Sequence, residues 1–224
     1  MKALLFDLDG TLIDSMPYHH DAWVEWYARR GLPMNASKFF ASTAGRSNAE
    51  ILLDLFPQHS VDEHVEMAEA KEAIYRELAA RELGLIGGAQ AFVAQARAAH
   101  LRLAVCTAST LPNMALAFER YGIDRWVDTV TSPADGLRGK PHPDIFLEAA
   151  RRLGVAPDDC IVFEDAPLGI EGARRASMKA VALTTTMPAD AFAGCDNLIA
   201  VAPDFTSLAL DALKLAHKKA HHDA

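Results

Sequence analysis

Short apolar runs recur along the chain at residues 3–6, 101–106, 127–131, 160–163 and 180–183, each followed by small or acidic residues and then by a stretch with helical spacing. Buried strands that alternate with helices in this way predict a parallel sheet. Between the first two runs the pattern changes. Residues 18–30, 48–56 and 61–81 carry helical periodicity with no strand among them. A strand-to-helix loop uses ~2–6 residues and a whole crossover little more than ~12, so this length is more than one connection needs. The predicted fold class is therefore α/β, a Rossmann-like parallel-sheet core with an inserted α-helical cap domain. The core comprises residues 1–14 and 85–224, and the cap residues 15–84. The chain leaves the core after Asp14 and returns near Leu85-Ile86-Gly87-Gly88, two adjacent connections that suit a hinge. Phe205, Leu208, Ala209, Ala212, Leu213 and Ala216 predict a C-terminal helix, and the His- and Lys-rich tail beyond it is expected to fray.

Composition adds limits. The chain has 224 residues, half of them hydrophobic and 23% charged, and all of it is expected to fold. Its net charge of -8 opposes nucleic acid and anionic membranes as partners, since both need clustered Lys and Arg, but a small anion can still bind locally. The three cysteines are far apart and form no CxxC pair, which excludes a disulfide framework and a cysteine zinc site. With no signal-peptide pattern at MKALLFDLDG and no membrane-length apolar run, a cytoplasmic monomer or weak homodimer is expected.

Candidate chemistry lies where the apolar runs end. Phe6-Asp7-Leu8-Asp9-Gly10-Thr11-Leu12 sets two acids at the carboxyl end of the first strand, with Gly10 to permit a sharp turn. In isolation this reads as a solvated acidic turn. The second run leads into Thr107-Ala108-Ser109-Thr110 with Pro112 in the next helix, where hydroxyls and backbone N–H groups suit an oxyanion, or where Ser109 or Thr110 simply caps the helix. Pro141 and Pro143 flank His142 just after Lys140 and restrict that lysine, and Cys160-Ile161-Val162-Phe163 ends in Glu164-Asp165. Several carboxylates converging on one rim resist joint ionisation without a counterion. An oxygen-only donor set points to Mg²⁺ as that counterion.

These four segments, in this order, resemble the haloacid dehalogenase superfamily over nearly the whole chain. The helical insertion, with Asp14-Ser15-Met16-Pro17-Tyr18-His19 and Ala22-Trp23, is similar to the cap of the β-phosphoglucomutase-like branch. The resemblance implies a phosphatase acting on a small phosphorylated metabolite. Asp7 is then the nucleophile, Asp9 the general acid and base, and Thr107 and Lys140 the holders of the transferring phosphoryl group. Gly10, Ala108 and Ser109 are implied at the substrate, and Asp7, Asp9 through its carbonyl, Asp165 and Glu164 at Mg²⁺. Asp9 argues against dehalogenation, which has no alcohol to protonate. A receiver-like phosphoacceptor module explains neither Asp9 nor the cap.

A sugar phosphomutase is the alternative. In a gapless placement on β-phosphoglucomutase, His19, Trp23 and Lys71 fall on cap positions, but the arginine for a distal phosphate falls at Asn48, and Thr110 replaces a lysine. Both departures favour hydrolysis, with Arg46 as a substitute cation if the loop shifts. His19 is as consistent with packing as with substrate contact, and Lys71 is expected to face solvent while the cap stands open.

Overall fold

The computed structural model describes residues 1–43 and 47–220 and divides into two compact units, residues 1–14 with 84–224, and residues 15–83. In the first unit, β1 (Ala3–Phe6), β4 (Arg102–Cys106), β5 (Thr129–Thr131), β6 (Cys160–Glu164), β7 (Lys179–Leu183) and β8 (Leu198–Ala202) form one sheet in the order β5-β4-β1-β6-β7-β8. Every pairing is parallel. The central strand β1 sits with Phe6 opposite Val105 of β4 and Phe163 of β6, so the residues that follow these three strands emerge side by side. All four residues of β1 are buried, as befits a strand covered on both faces.

Two different cores cover those faces. On one, Leu5, Ala104 and Val162 pack against Ile145, Phe146 and Ala149 of α7 (Asp144–Leu153) and Ile170 and Ala173 of α8 (Pro167–Arg175). On the other, Phe6 stacks on Phe163 at 4.9 Å between ring centroids, and Phe163 meets Phe92 at 5.4 Å and Phe205 at 5.6 Å. Phe92 belongs to α5 (Ala89–Ala98). The helix that follows β4 is α6 (Leu111–Tyr121), ended by Gly122 in the left-handed conformation that favours glycine.

The second unit is helical: α1 (Met16–Arg29), α2 (Ala36–Thr43), α3 (Asn48–Leu55) and α4 (Val61–Glu82). Two capping boxes start its last two helices. Ser47 accepts from Glu50 N while Glu50 accepts from Ser47 N, and Ser60 and Glu63 repeat the exchange. Its interior is aromatic, with Trp23 5.5 Å from Trp26 and 5.3 Å from Phe39, and Trp26 5.8 Å from Phe56.

Three details depart from the sequence expectation. The sheet has a sixth strand, β8, at its edge; three of its five residues are half-buried and the strand is not followed at once by a helix, which weakens the strand-helix signature. The C-terminal helix α9 (Leu210–Ala220) starts at Leu210 rather than near Phe205, because Asp204 Oδ1 accepts from Thr206 N at 2.8 Å and holds a separate 3₁₀ turn over Phe205–Ser207. Two residues on either side of the insertion, β2 (Ile13–Asp14) and β3 (Gly84–Leu85), pair antiparallel. Among the described residues no helix is long and apolar enough to cross a membrane.

The aromatic face should dominate the stability of the first unit. Phe205→Ala removes a ring buried against three others, and urea unfolding should show a loss of about 3 to 5 kcal/mol; a loss near zero would mean that this face does not carry the fold.

Candidate active site

The site is built where β1, β4 and β6 end. Asp7 follows β1 directly, and its backbone N–H continues the ladder by donating to Phe163 O at 3.0 Å. The chain then turns tightly: Leu12 N and Ile13 N both donate to Leu8 O, at 2.9 and 3.0 Å, and Gly10 sits at φ +75°. A glycine is required there on two counts. Its φ is one that L side chains rarely adopt, and a Cβ would overlap the Asp165 carboxylate and fall 2.6 Å from Thr186 Oγ1.

Lys140 supplies the charge that balances the acids. It sits in a segment with a cis Lys140-Pro141 bond, immediately before α7, with its ammonium 5.5 Å from the Phe146 ring centroid. Its Nζ donates to Asp7 Oδ1 at 2.5 Å and is ion-paired with Glu164 Oε1. Glu164 is the last residue of β6, and its carboxylate lies against Gly169 in the first turn of α8 so closely that a Cβ at 169 would overlap it. Asp165 comes next, accepting from Thr11 Oγ1 at 3.2 Å. Asp7, Glu164 and Asp165 each offer a carboxylate oxygen within 4.8 Å of the others, and all three are buried. Three such carboxylates and one ammonium leave net negative charge, which a hard divalent cation with oxygen ligands would balance.

Burial sets the protonation of this cluster. It pushes Glu164 up to about 8, against the opposing pull of Lys140, with Asp7 and Asp165 adding to the rise. Asp165 is pushed up to about 7, again by burial first and by Asp7 second. Asp7 is raised as well; burial outweighs Lys140, and the charge of Asp9 adds to it. For Lys140 burial acts downward, but Asp7 and Glu164 together outweigh it and hold the amine above its ordinary value.

Thr107 lies one residue past β4, buried, with its N–H on Thr131 O at 3.0 Å and its Oγ1 accepting from Ser109 N at 3.0 Å. Thr110 stands at the N-cap of α6, but its side chain makes no capping bond, so the segment is not a simple capped helix start. Ala108 is exposed and Ser109 half-buried beside it, and Asp9 is half-buried in the turn.

The cap residues gather within their own unit. Lys71 is buried rather than facing solvent, because its Nζ lies 3.0 Å from Glu72 Oε1 and 2.7 Å from His19 Nδ1, with Trp23 and Tyr75 rings near its charge. His19 stacks on Tyr75 at 3.8 Å. Asn48 Nδ2 donates to Glu72 Oε1 at 2.5 Å. Arg46 lies outside the described residues. Sequence patterns assign no role to Glu72, Gly169, Thr11, Thr185 or Thr186, although Thr11 lies within the first motif and a run of hydroxyls directly after residues 180–183 marks the last two.

A family model described as haloacid dehalogenase-like hydrolase matches residues 1–177. Validoxylamine A 7'-phosphate phosphatase from Streptomyces hygroscopicus subsp. limoneus is 36% identical over 202 residues, which are 88% of this chain and 92% of that protein. Of solved structures, a HAD hydrolase of family IA, variant 3, from Entamoeba histolytica superposes with a TM-score of 0.90 at 28% identity, covering 97% of this chain and 100% of that one. Beta-phosphoglucomutase from Clostridium difficile gives 0.82 at 25% identity, with 98% of each chain covered.

The raised acids predict a pH dependence. A carboxyl whose folded pKa exceeds its unfolded value keeps a proton that the unfolded chain has shed, so stability falls as pH rises through the interval between the two. For Glu164 that interval runs from its ordinary 4.5 to about 8. Without divalent ions, wild type should therefore lose thermal stability relative to Glu164→Gln between pH 5 and 8, measured by calorimetry. Glu63, Glu148 and Glu171, each lowered to about 2, have the opposite sign but act below this window. A difference that grows in favour of wild type would contradict the assignment.

Proposed function

The chain belongs to the haloacid dehalogenase-like hydrolase family, and we propose that it is a Mg²⁺-dependent phosphatase that hydrolyses a small phosphomonoester, a sugar phosphate or similar metabolite, through an aspartyl-phosphate on Asp7. The observation that carries this reading is the Lys140 ammonium held between Asp7 and Glu164, with Asp165 completing the cluster. A buried nucleophilic carboxylate, a fixed cation and further acids able to hold a metal are the components that phosphoryl transfer needs.

In the first half-reaction an Asp7 carboxylate oxygen bonds to phosphorus as the bond from phosphorus to the ester oxygen breaks, and Asp9 gives its proton to the departing alkoxide. In the second, ionised Asp9 takes a proton from water as the water oxygen bonds to phosphorus and the bond to Asp7 breaks, releasing phosphate. Asp7 and Asp9 therefore start in different protonation states and titrate as a pair. The first half-reaction requires Asp7 ionised and Asp9 protonated. Thr107 and Lys140 hold the transferring oxygens, with Gly10, Ala108 and Ser109 beside the substrate. Asp7, Glu164, Asp165 and the Asp9 carbonyl would hold Mg²⁺, which would supply charge neutralisation and polarisation of a phosphoryl oxygen.

Hydrolysis is favoured over sugar phosphate isomerisation by two positions. Asn48 offers a neutral amide, bonded to a carboxylate, where the resemblance expects a cation, and Thr110 carries no charge. The phosphatase relative supports a phosphate monoester as substrate. His19, Asn48, Lys71 and Arg46 are assigned to selectivity for the alcohol portion. A cytoplasmic setting suits the buried free thiols of Cys106 and Cys160, and a monomer or weak homodimer is part of the same reading.

Purified protein with Mg²⁺ and a panel of hexose 1-phosphates, hexose 6-phosphates and phosphoglycolate should release inorganic phosphate; isomerised sugar appearing faster than phosphate would reverse the choice. Asp7→Asn should abolish turnover with the circular dichroism spectrum unchanged. Asp9→Asn should lower kcat by about 10²- to 10⁴-fold, and near-normal turnover would remove its acid–base role.

A further inference from the structure

β7 runs into Thr184-Thr185-Thr186, hydroxyl side chains that the phosphatase mechanism leaves without a role. Two of them reach the turn after Asp7. Thr185 Oγ1 donates to Gly10 O at 2.5 Å. Thr186 lies against Asp165: the place a Cβ on Gly10 would take is bounded by the Asp165 carboxylate and by Thr186 Oγ1. Thr186 Oγ1 is buried with no hydrogen-bond partner among the described residues, and the Asp165 carboxylate is its neighbouring acceptor. Thr11, fully buried, donates to the same carboxylate at Oδ1.

Glu164 and Asp165 are thus held by different chemistry. Glu164 meets an ammonium, which neutralises it. Asp165 accepts from the Thr11 hydroxyl and has the Thr186 hydroxyl beside it, groups that can fix its direction and leave its charge intact for a cation. We propose that Thr11 and Thr186 are positioning residues that aim Asp165 at a divalent cation, and that Thr185, by holding the Gly10 carbonyl, fixes the adjoining Asp9 carbonyl for the same ion. The proposal rests on the reading of the carboxylate cluster as a Mg²⁺ site. None of the three hydroxyls touches the reacting phosphoryl group in this assignment, so their loss should change metal affinity before it changes chemistry.

The test is Mg²⁺ titration of wild type, Thr186→Val, Thr186→Ser and Thr11→Val, followed by calorimetry and by the rise in thermal midpoint, with no substrate present. Removing a hydroxyl that orients a metal ligand weakens binding by about 10- to 100-fold. Thr186→Val and Thr11→Val should shift the Mg²⁺ midpoint upward by that factor while kcat at saturating Mg²⁺ stays near wild type, and Thr186→Ser should restore the affinity. Thr11→Val tests the second donor on its own, so a poorly folding Thr186→Val leaves a decisive variant. Unchanged Mg²⁺ affinity in a folded valine variant, beside a wild type that binds, overturns the positioning role alone. A wild type that binds no Mg²⁺ overturns the cofactor reading and the positioning role with it.

Discussion

The structure depends on how three buried carboxylates are kept together. Asp7, Glu164 and Asp165 arrive from two neighbouring strand ends, and burial alone would drive protons onto them. Lys140 prevents full neutralisation by pairing with two of the three at once. An ammonium in so enclosed a place is itself costly unless paired; the acids and the lysine therefore require one another, and removing any one leaves the rest under strain. This mutual dependence explains why the segments that build the site are so tightly specified. Gly10 leaves room for Asp165, Gly169 leaves room for Glu164, and the residues before α7 hold Lys140 at a fixed reach.

The parallel sheet makes the cluster possible at low local cost. Because Phe6 is in register with both Val105 and Phe163, side chains one or two residues further along emerge in adjacent rows without any long loop to order. The helices that follow begin nearby, so the first turn of α8 passes directly beneath Glu164. A site on rigid strand ends can hold its groups within the tolerance that catalysis needs, which mobile loops would not.

Much of this was legible in the chain itself. Asp7, Lys140, Glu164 and Asp165 each follow a recognisable apolar run or precede a recognisable helix, and the structure brings these four together. What could not be read depends on three-dimensional approach. Thr185 and Thr186 look like loop residues until β7 is laid beside the Gly10 turn, and Gly169 looks like an ordinary glycine in a helix start until Glu164 lies over it. Lys71 is of the same kind: a lysine in a polar helix suggests solvent, and the neighbours Glu72 and His19 make its burial tolerable. β8 escaped because an edge strand with a half-buried face carries little of the continuous apolar signature that marked its neighbours.

The short ladder between Ile13–Asp14 and Gly84–Leu85 has a consequence for how such chains diversify. Asp14 and Gly84 are direct partners across it, so the two ends of the break in the core lie about 5 Å apart, as opposed residues of an antiparallel pair do. A gap that narrow can be closed by a tight turn or filled by an insertion of almost any size, and the sheet continuing on either side would keep its register. The first unit is therefore closed across the break by its own two-residue ladder, whatever the length of the inserted segment. A change in the length of the insertion would leave untouched the strand ends on which the carboxylates stand.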